Sequence, residues 1–149
     1  MWVREITYLL ALVVSIALAS ASAAELAAPN PALTPGAIIS NDRETACTFR
    51  ATPRLYQTDR SVYFEQAQQV FERYGIPYDQ HREYQLDHLI PRCLGGTDSV
   101  LNEWPEPLAE ATIKDAEEAR ICRAVCDERT MTLEAGRRFF TTGQWRHRQ

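Results

Sequence analysis

The residues of this chain best suited to chemistry stand together in Tyr84-Gln85-Leu86-Asp87-His88-Leu89-Ile90-Pro91, with Leu94-Gly95-Gly96 and Asn102 close behind. A carboxylate is a hard oxygen donor that suits Mg2+ or Mn2+, and an imidazole exchanges its proton near neutral pH. Cleaving a phosphodiester with one metal ion needs both kinds of group: a cation to polarise the phosphoryl and leaving oxygens, and a base to deprotonate water. Asp87 and His88 supply them at adjacent positions. Strand neighbours point to opposite faces, so the pair needs a strand end or bulge to cooperate, and Pro91 with the glycine loop provides such an exit. Asn102, returning after the loop, is placed to pin the loop and with it the imidazole. A further ligand must come from the helix that follows, where Asp115 and Glu118 lie one turn apart with Lys114 alongside.

The elements that must position these groups are legible from periodicity. Tyr63, Ala67, Val70, Phe71 and Tyr74 form one apolar stripe, which predicts a helix capped by Ser61 and closed by Gly75 and Pro77. Its aromatic positions read as core packing rather than as a platform for bases. Alternation around Tyr84 and Leu86 predicts a short strand, and Gly95-Gly96-Thr97-Asp98 a loop. Val100-Leu101-Asn102 is expected to form a second short strand or a tight return, ended by Trp104-Pro105-Glu106-Pro107 because proline cannot continue a central ladder. A helix is expected from about Ala109 to Val125, and another from Thr132, its N-cap, to just before Gly143. Trp104 belongs in the core beneath the site.

Arg4, the apolar run from Ile6 to Ala19 and the small residues Ala21-Ser22-Ala23-Ala24 have the order of a secretory signal peptide. The expectation is a signal peptide over 1–23, cleaved after Ala23 or Ala24. The alternative is a retained anchor helix, which Ser15, Ser20 and Ser22 weaken. Residues 24–40, rich in Ala and Pro and without a period, read as a flexible linker. Residues 41–149 read as one small domain, exported to the periplasm or beyond the cell, without stable membrane association once the signal is removed. Four cysteines, Cys47, Cys93, Cys122 and Cys126, are an even count in an exported chain and favour disulfides. Zinc is the competing reading, disfavoured by the lack of a C-x-x-C pair.

The formal net charge of −4 counts against a nucleic-acid partner. Its distribution softens the objection, because Lys114 is the only lysine and the remaining positive charge is arginine, whose planar fork grips phosphate. Arg92 and Arg120 are the candidates for holding a phosphate backbone, with a solvated helix face as the alternative for either.

In these residues the chain resembles the HNH endonuclease superfamily, whose ββα-metal finger is two short strands and a helix around one divalent ion. More narrowly it is similar to exported bacterial HNH-like proteins, through Asp87-His88-Leu89-Ile90-Pro91, Leu94-Gly95-Gly96, Asn102-Glu103-Trp104-Pro105, Lys114-Asp115-Ala116-Glu117-Glu118 and Val125-Cys126. The resemblance covers roughly Tyr74 to Trp145. It implies a small α+β domain with a ββα-metal core and flanking helices, acting as a metal-dependent endonuclease on DNA or RNA. Asp87 would be a ligand of Mg2+ or Mn2+, His88 the general base and Asn102 the residue that fixes the loop. The sequence departs from the pattern on the helix, since no histidine occurs between His88 and His147. Asp115, with Glu118 second, is the substitute ligand, although acidic residues there also complement a helix N-terminus. The resemblance further implies a Cys47–Cys126 disulfide, which leaves Cys93 for Cys122. Two rivals stand beside the nuclease: a catalytically degenerate, disulfide-braced HNH-like scaffold binding a partner in the cell envelope, and a structural zinc module.

Export is expected to shorten the chain by the first 23 or 24 residues, which the intact mass of the secreted protein checks. A membrane-bound product that keeps Met1 to Ala23 would show the apolar run to be an anchor.

Overall fold

The computed structural model describes residues 28–53 and 60–147, so the expected signal peptide lies outside the described residues. Strand β1 (Tyr84–His88) and strand β2 (Glu103–Pro107) pair antiparallel, from Tyr84 opposite Pro107 to His88 opposite Glu103. Among the described residues four α-helices accompany this pair: α1 (Arg43–Phe49), α2 (Arg60–Arg73), α3 (Leu108–Cys122) and α4 (Leu133–Thr141). The result is a small α+β domain in which β1, a long loop, β2 and α3 follow one another without interruption. No helix among the described residues is long and apolar enough to cross a membrane.

The core forms where the predicted stripe of α2, from Ala67 onward, meets the hairpin and the last two helices; Tyr63 at its start is exposed, and Ser61, expected as the cap, stands within the helix. Val70, Phe71 and Tyr74 pack with Leu89, Ile90 and Leu94 of the loop, Trp104 of β2, Ile121 and Val125 at the end of α3, Phe139 and Phe140 of α4, and Trp145. Thr132 caps α4 as expected, its hydroxyl accepting from the Ala135 N–H at 3.1 Å. Disulfides join Cys47 to Cys126 and Cys93 to Cys122, the pairing the resemblance implied. All four thiols are thereby used, which removes the zinc reading and fits an oxidising environment.

Three elements differ from expectation. Strand β2 runs through the prolines that were expected to end the second strand, while residues 100–102 form the tight return that was the alternative to a strand there. In a two-stranded sheet each strand is an edge. Pro105 and Pro107, two apart, share the side of the ladder where no N–H is required. The part of the expected linker that the structure describes, 28–40, lies against the domain rather than free of it. Thr34 is fully buried and hydrogen-bonds the Tyr74 hydroxyl at 2.7 Å, Gly36 N–H donates to Leu101 O at 2.9 Å, and Ile38 bridges Gly96. Extended, proline-rich backbone has no internal partners, so its polar groups pair with those of the loop. Helix α1 was not foreseen. It has one fully buried side chain, Ala46, and is held by the Asp42 cap on Thr45 N–H at 2.8 Å and by the Cys47 disulfide.

Gly96 sits where the loop folds back on itself, and a Cβ there would lie 1.7 Å from the Ile90 carbonyl oxygen. Gly96→Ala is therefore expected to destabilise the domain by about 3 kcal/mol or more, measured by denaturant unfolding.

Candidate functional site

The loop between the strands is closed by Asn102. Its Oδ1 accepts from Ile90 N–H at 3.0 Å, and its Nδ2 donates to Ile90 O and to Thr97 O, both at 3.0 Å. Leu89 N–H reaches Asn102 O at 2.7 Å. One fully buried amide thus ties together both arms of the loop, because only a side chain with donors and an acceptor can satisfy backbone groups of both kinds. Asn102 fixes the loop from behind and does not line the cleft in front of it.

That cleft, of about 350 Å³, is lined by Asp87, His88, Arg92, Asp115, Glu118 and the Cys93–Cys122 disulfide. Five of the residues nominated from sequence therefore meet in one place. Asp87 and His88 nonetheless belong to different charge clusters, as alternation along a strand dictates. His88 Nε2 lies 2.9 Å from Asp98 Oδ1 and 3.6 Å from Glu103 Oε1, its cross-strand neighbour. Arg92 donates to the same Asp98 oxygen, and Gln66 of α2 donates to Glu103 and, at 3.0 Å, to the Asp98 carbonyl.

On the other side, Asp87 Oδ2 and Glu118 Oε1 both accept from the ammonium of Lys114, which is fully buried. Burial alone would lower the lysine pKa, but the facing charges of Asp87 and Glu118 hold it above its ordinary value. Burial raises the Glu118 carboxyl, against the pull of Lys114. Glu106 of β2 completes the cluster. It is fully buried, its Oε2 accepts from Gln85 at 2.7 Å, and its Oε1 has no hydrogen-bond partner. Burial, reinforced by the charge of Asp87, pushes its carboxyl up to about 8. Glu103 is raised to about 7 for the same first reason.

The two candidate phosphate grips fare differently. Arg92 lines the cleft, but its fork is engaged by Asp98 on one side and by Thr52 on the other, at 2.9 Å to the carbonyl and 3.0 Å to the hydroxyl. Arg120 does not reach the cleft lining; it pairs with Glu117 at 2.9 Å from Nε and lies over the Phe139 ring.

The nominated metal ligands also need revision. Asp87, Asp115 and Glu118 share the cleft, yet the only described His, Cys, Asp or Glu group whose donor atoms all lie within 4.8 Å of one another is His88, Asp98 and Glu103. Asp87 and Glu118 do not fit a divalent ion, since Lys114 already holds one oxygen of each. The mixed nitrogen and oxygen set around His88 suits Mn2+ better than Mg2+ by donor type, though Arg92 and Gln66 already engage two of its members. Asp98 and Glu103 escaped sequence reasoning as partners of His88, and Glu106 as a partner of Asp87. The available signal was the acidic residues flanking Trp104 and closing the glycine loop.

No protein-family model, curated protein or solved structure matches the chain.

Glu106 gives the site a pH signature. A carboxyl raised in the folded state favours folding while protonated, so its contribution is fully present below about pH 4.5 and is lost as pH rises through about 8. Thermal stability is expected to fall across that window. Glu106→Gln should flatten the fall, leaving the parts due to Glu103 and Glu118, and should raise the melting temperature at pH 8 by roughly 4–8 °C per kcal/mol released. Melting curves across the pH range check both points.

Proposed function

We propose that the protein hydrolyses phosphodiester bonds of DNA or RNA as a metal-dependent endonuclease of the HNH type, with His88 as the general base. The observation that carries this reading is the relay from Arg92 to Asp98 to His88, which ends at a cleft shared with Asp87, Asp115 and Glu118. Donation of the Nε2 proton to Asp98 leaves Nδ1 as the basic nitrogen, the arrangement that lets an imidazole take a proton from water. Arg92 holds Asp98, Gln66 holds Glu103, and Asn102 holds the loop that carries them. The imidazole is therefore oriented before any substrate arrives.

Charge supports a role for a cation. Three carboxylates line the cleft against the guanidinium of Arg92, a balance that repels a bare phosphodiester. Mg2+ or Mn2+, when bound, would supply positive charge at the phosphoryl and leaving oxygens. Asp115, exposed on the rim and not engaged by Lys114, is the cleft carboxylate that would be turned over to such an ion in this reading. The disulfides fit an exported protein, in the periplasm or outside the cell, that meets nucleic acid there.

The second reading, a disulfide-braced scaffold for an envelope partner, is favoured by one specific observation. Asp87, Glu118 and Arg92 are already satisfied by other residues of the chain.

Turnover on DNA and RNA separates the two. His88→Ala should lower it by about 10²–10⁴-fold with Mg2+ or Mn2+ present, the usual contribution of a positioned base. Asp98→Asn should lower it by less and shift the pH–rate profile. A folded native protein that cuts neither nucleic acid with either ion leaves the scaffold.

A further inference from the structure

Two of the three carboxylates that sequence reasoning assigned to a metal, Asp87 and Glu118, already hold a cation, and it belongs to the chain. Lys114 projects from α3 into the space between β1, β2 and that helix. Its ammonium bonds Asp87 from β1 and Glu118 one turn further along α3, and lies 5.5 Å from the centre of the Phe140 ring. Glu106 from β2 is within electrostatic reach of the same ammonium, fully buried, with Oε1 unpartnered. Three carboxylates from three elements therefore converge on one point charge. An isolated acidic cluster would need no ion, but a fully buried carboxyl oxygen without a partner marks an oxygen ligand position in the pocket that its resident ammonium does not fill.

We propose that Lys114 is the built-in cation of this pocket, so that Asp87, Glu106 and Glu118 admit no divalent ion in the native chain and become a hard-cation site when the ammonium is removed. A lysine ammonium and a hard divalent ion ask for the same surroundings, several oxygen acceptors and no competing donor. Two such cations cannot share one buried pocket without strong repulsion. Shortening the side chain to alanine vacates the length of a four-carbon stem, room for an ion with water. Methionine fills that space and brings no charge.

The inference does not rest on nuclease activity, and a protein that cuts nothing can still pass or fail it. The test is Ca2+, an oxygen-preferring probe, titrated into the native protein and its variants while melting temperature and heat are recorded. The native protein is expected to show no Ca2+ binding that depends on Asp87. Lys114→Ala is expected to lose stability without Ca2+ and to regain it with Ca2+, and Asp87→Asn added to that variant should abolish the rescue. Lys114→Met should be destabilised without rescue. The proposal is overturned by Ca2+ binding to the native protein that disappears in Asp87→Asn or Glu118→Gln. It is equally overturned by a folded Lys114→Ala protein that takes up no Ca2+. Should that variant fail to fold in either condition, the native titration decides alone, absence of Asp87-dependent binding supporting the proposal.

Discussion

A single buried ammonium joins the end of β1 that borders the cleft to α3. Lys114 is the only lysine of the chain, and it is fully enclosed while holding Asp87 and Glu118. Taking a charge out of water is tolerable only when partners replace the lost hydration, and breaking a buried pair by removing one member costs about 3–5 kcal/mol. The three residues therefore constrain one another's positions. Strand and helix are held at the spacing that leaves the cleft open between them.

The same strand feeds two electrostatic environments. Asp87 faces the lysine, while the next residue, His88, faces Asp98 and Glu103 across the hairpin. A substrate in the cleft would meet the edges of both. The imidazole side is braced by neutral and cationic donors from α2 and the loop. The aspartate side is crowded with carboxyls that burial keeps reluctant to ionise. The site thus has one half in which an imidazole is held between carboxylates and one half organised around a buried ammonium.

Much of this was written in the local pattern. The helix of Val70 and Phe71, the strand of Tyr84 and Leu86, the glycine loop and the Thr132 cap each follow from periodicity or side-chain chemistry within a few residues. Asn102 could be placed because a polar residue returning after a loop has few other uses. What escaped were pairings that only the closed loop creates. Asp98 meets His88 across ten positions, and Glu106 meets Lys114 from a neighbouring strand. The prolines of β2 misled because the rule against them applies to strands paired on both sides, and β2 is paired on one. The strap at 28–40 offered no period, since its order comes from single hydrogen bonds to another part of the chain.

The two disulfides are nested: the Cys93–Cys122 bridge lies inside the stretch spanned by Cys47 and Cys126. A protease that severs the backbone once anywhere between those outer cysteines releases no fragment, because the outer bridge still joins the two pieces. A cut between the inner pair leaves both bridges spanning the break. Every residue that lines the cleft lies between the outer cysteines, and Asp115, Glu118 and Ala119 lie between the inner pair as well. In the oxidised protein a nicked molecule therefore stays in one covalent piece, with both walls of the cleft still attached.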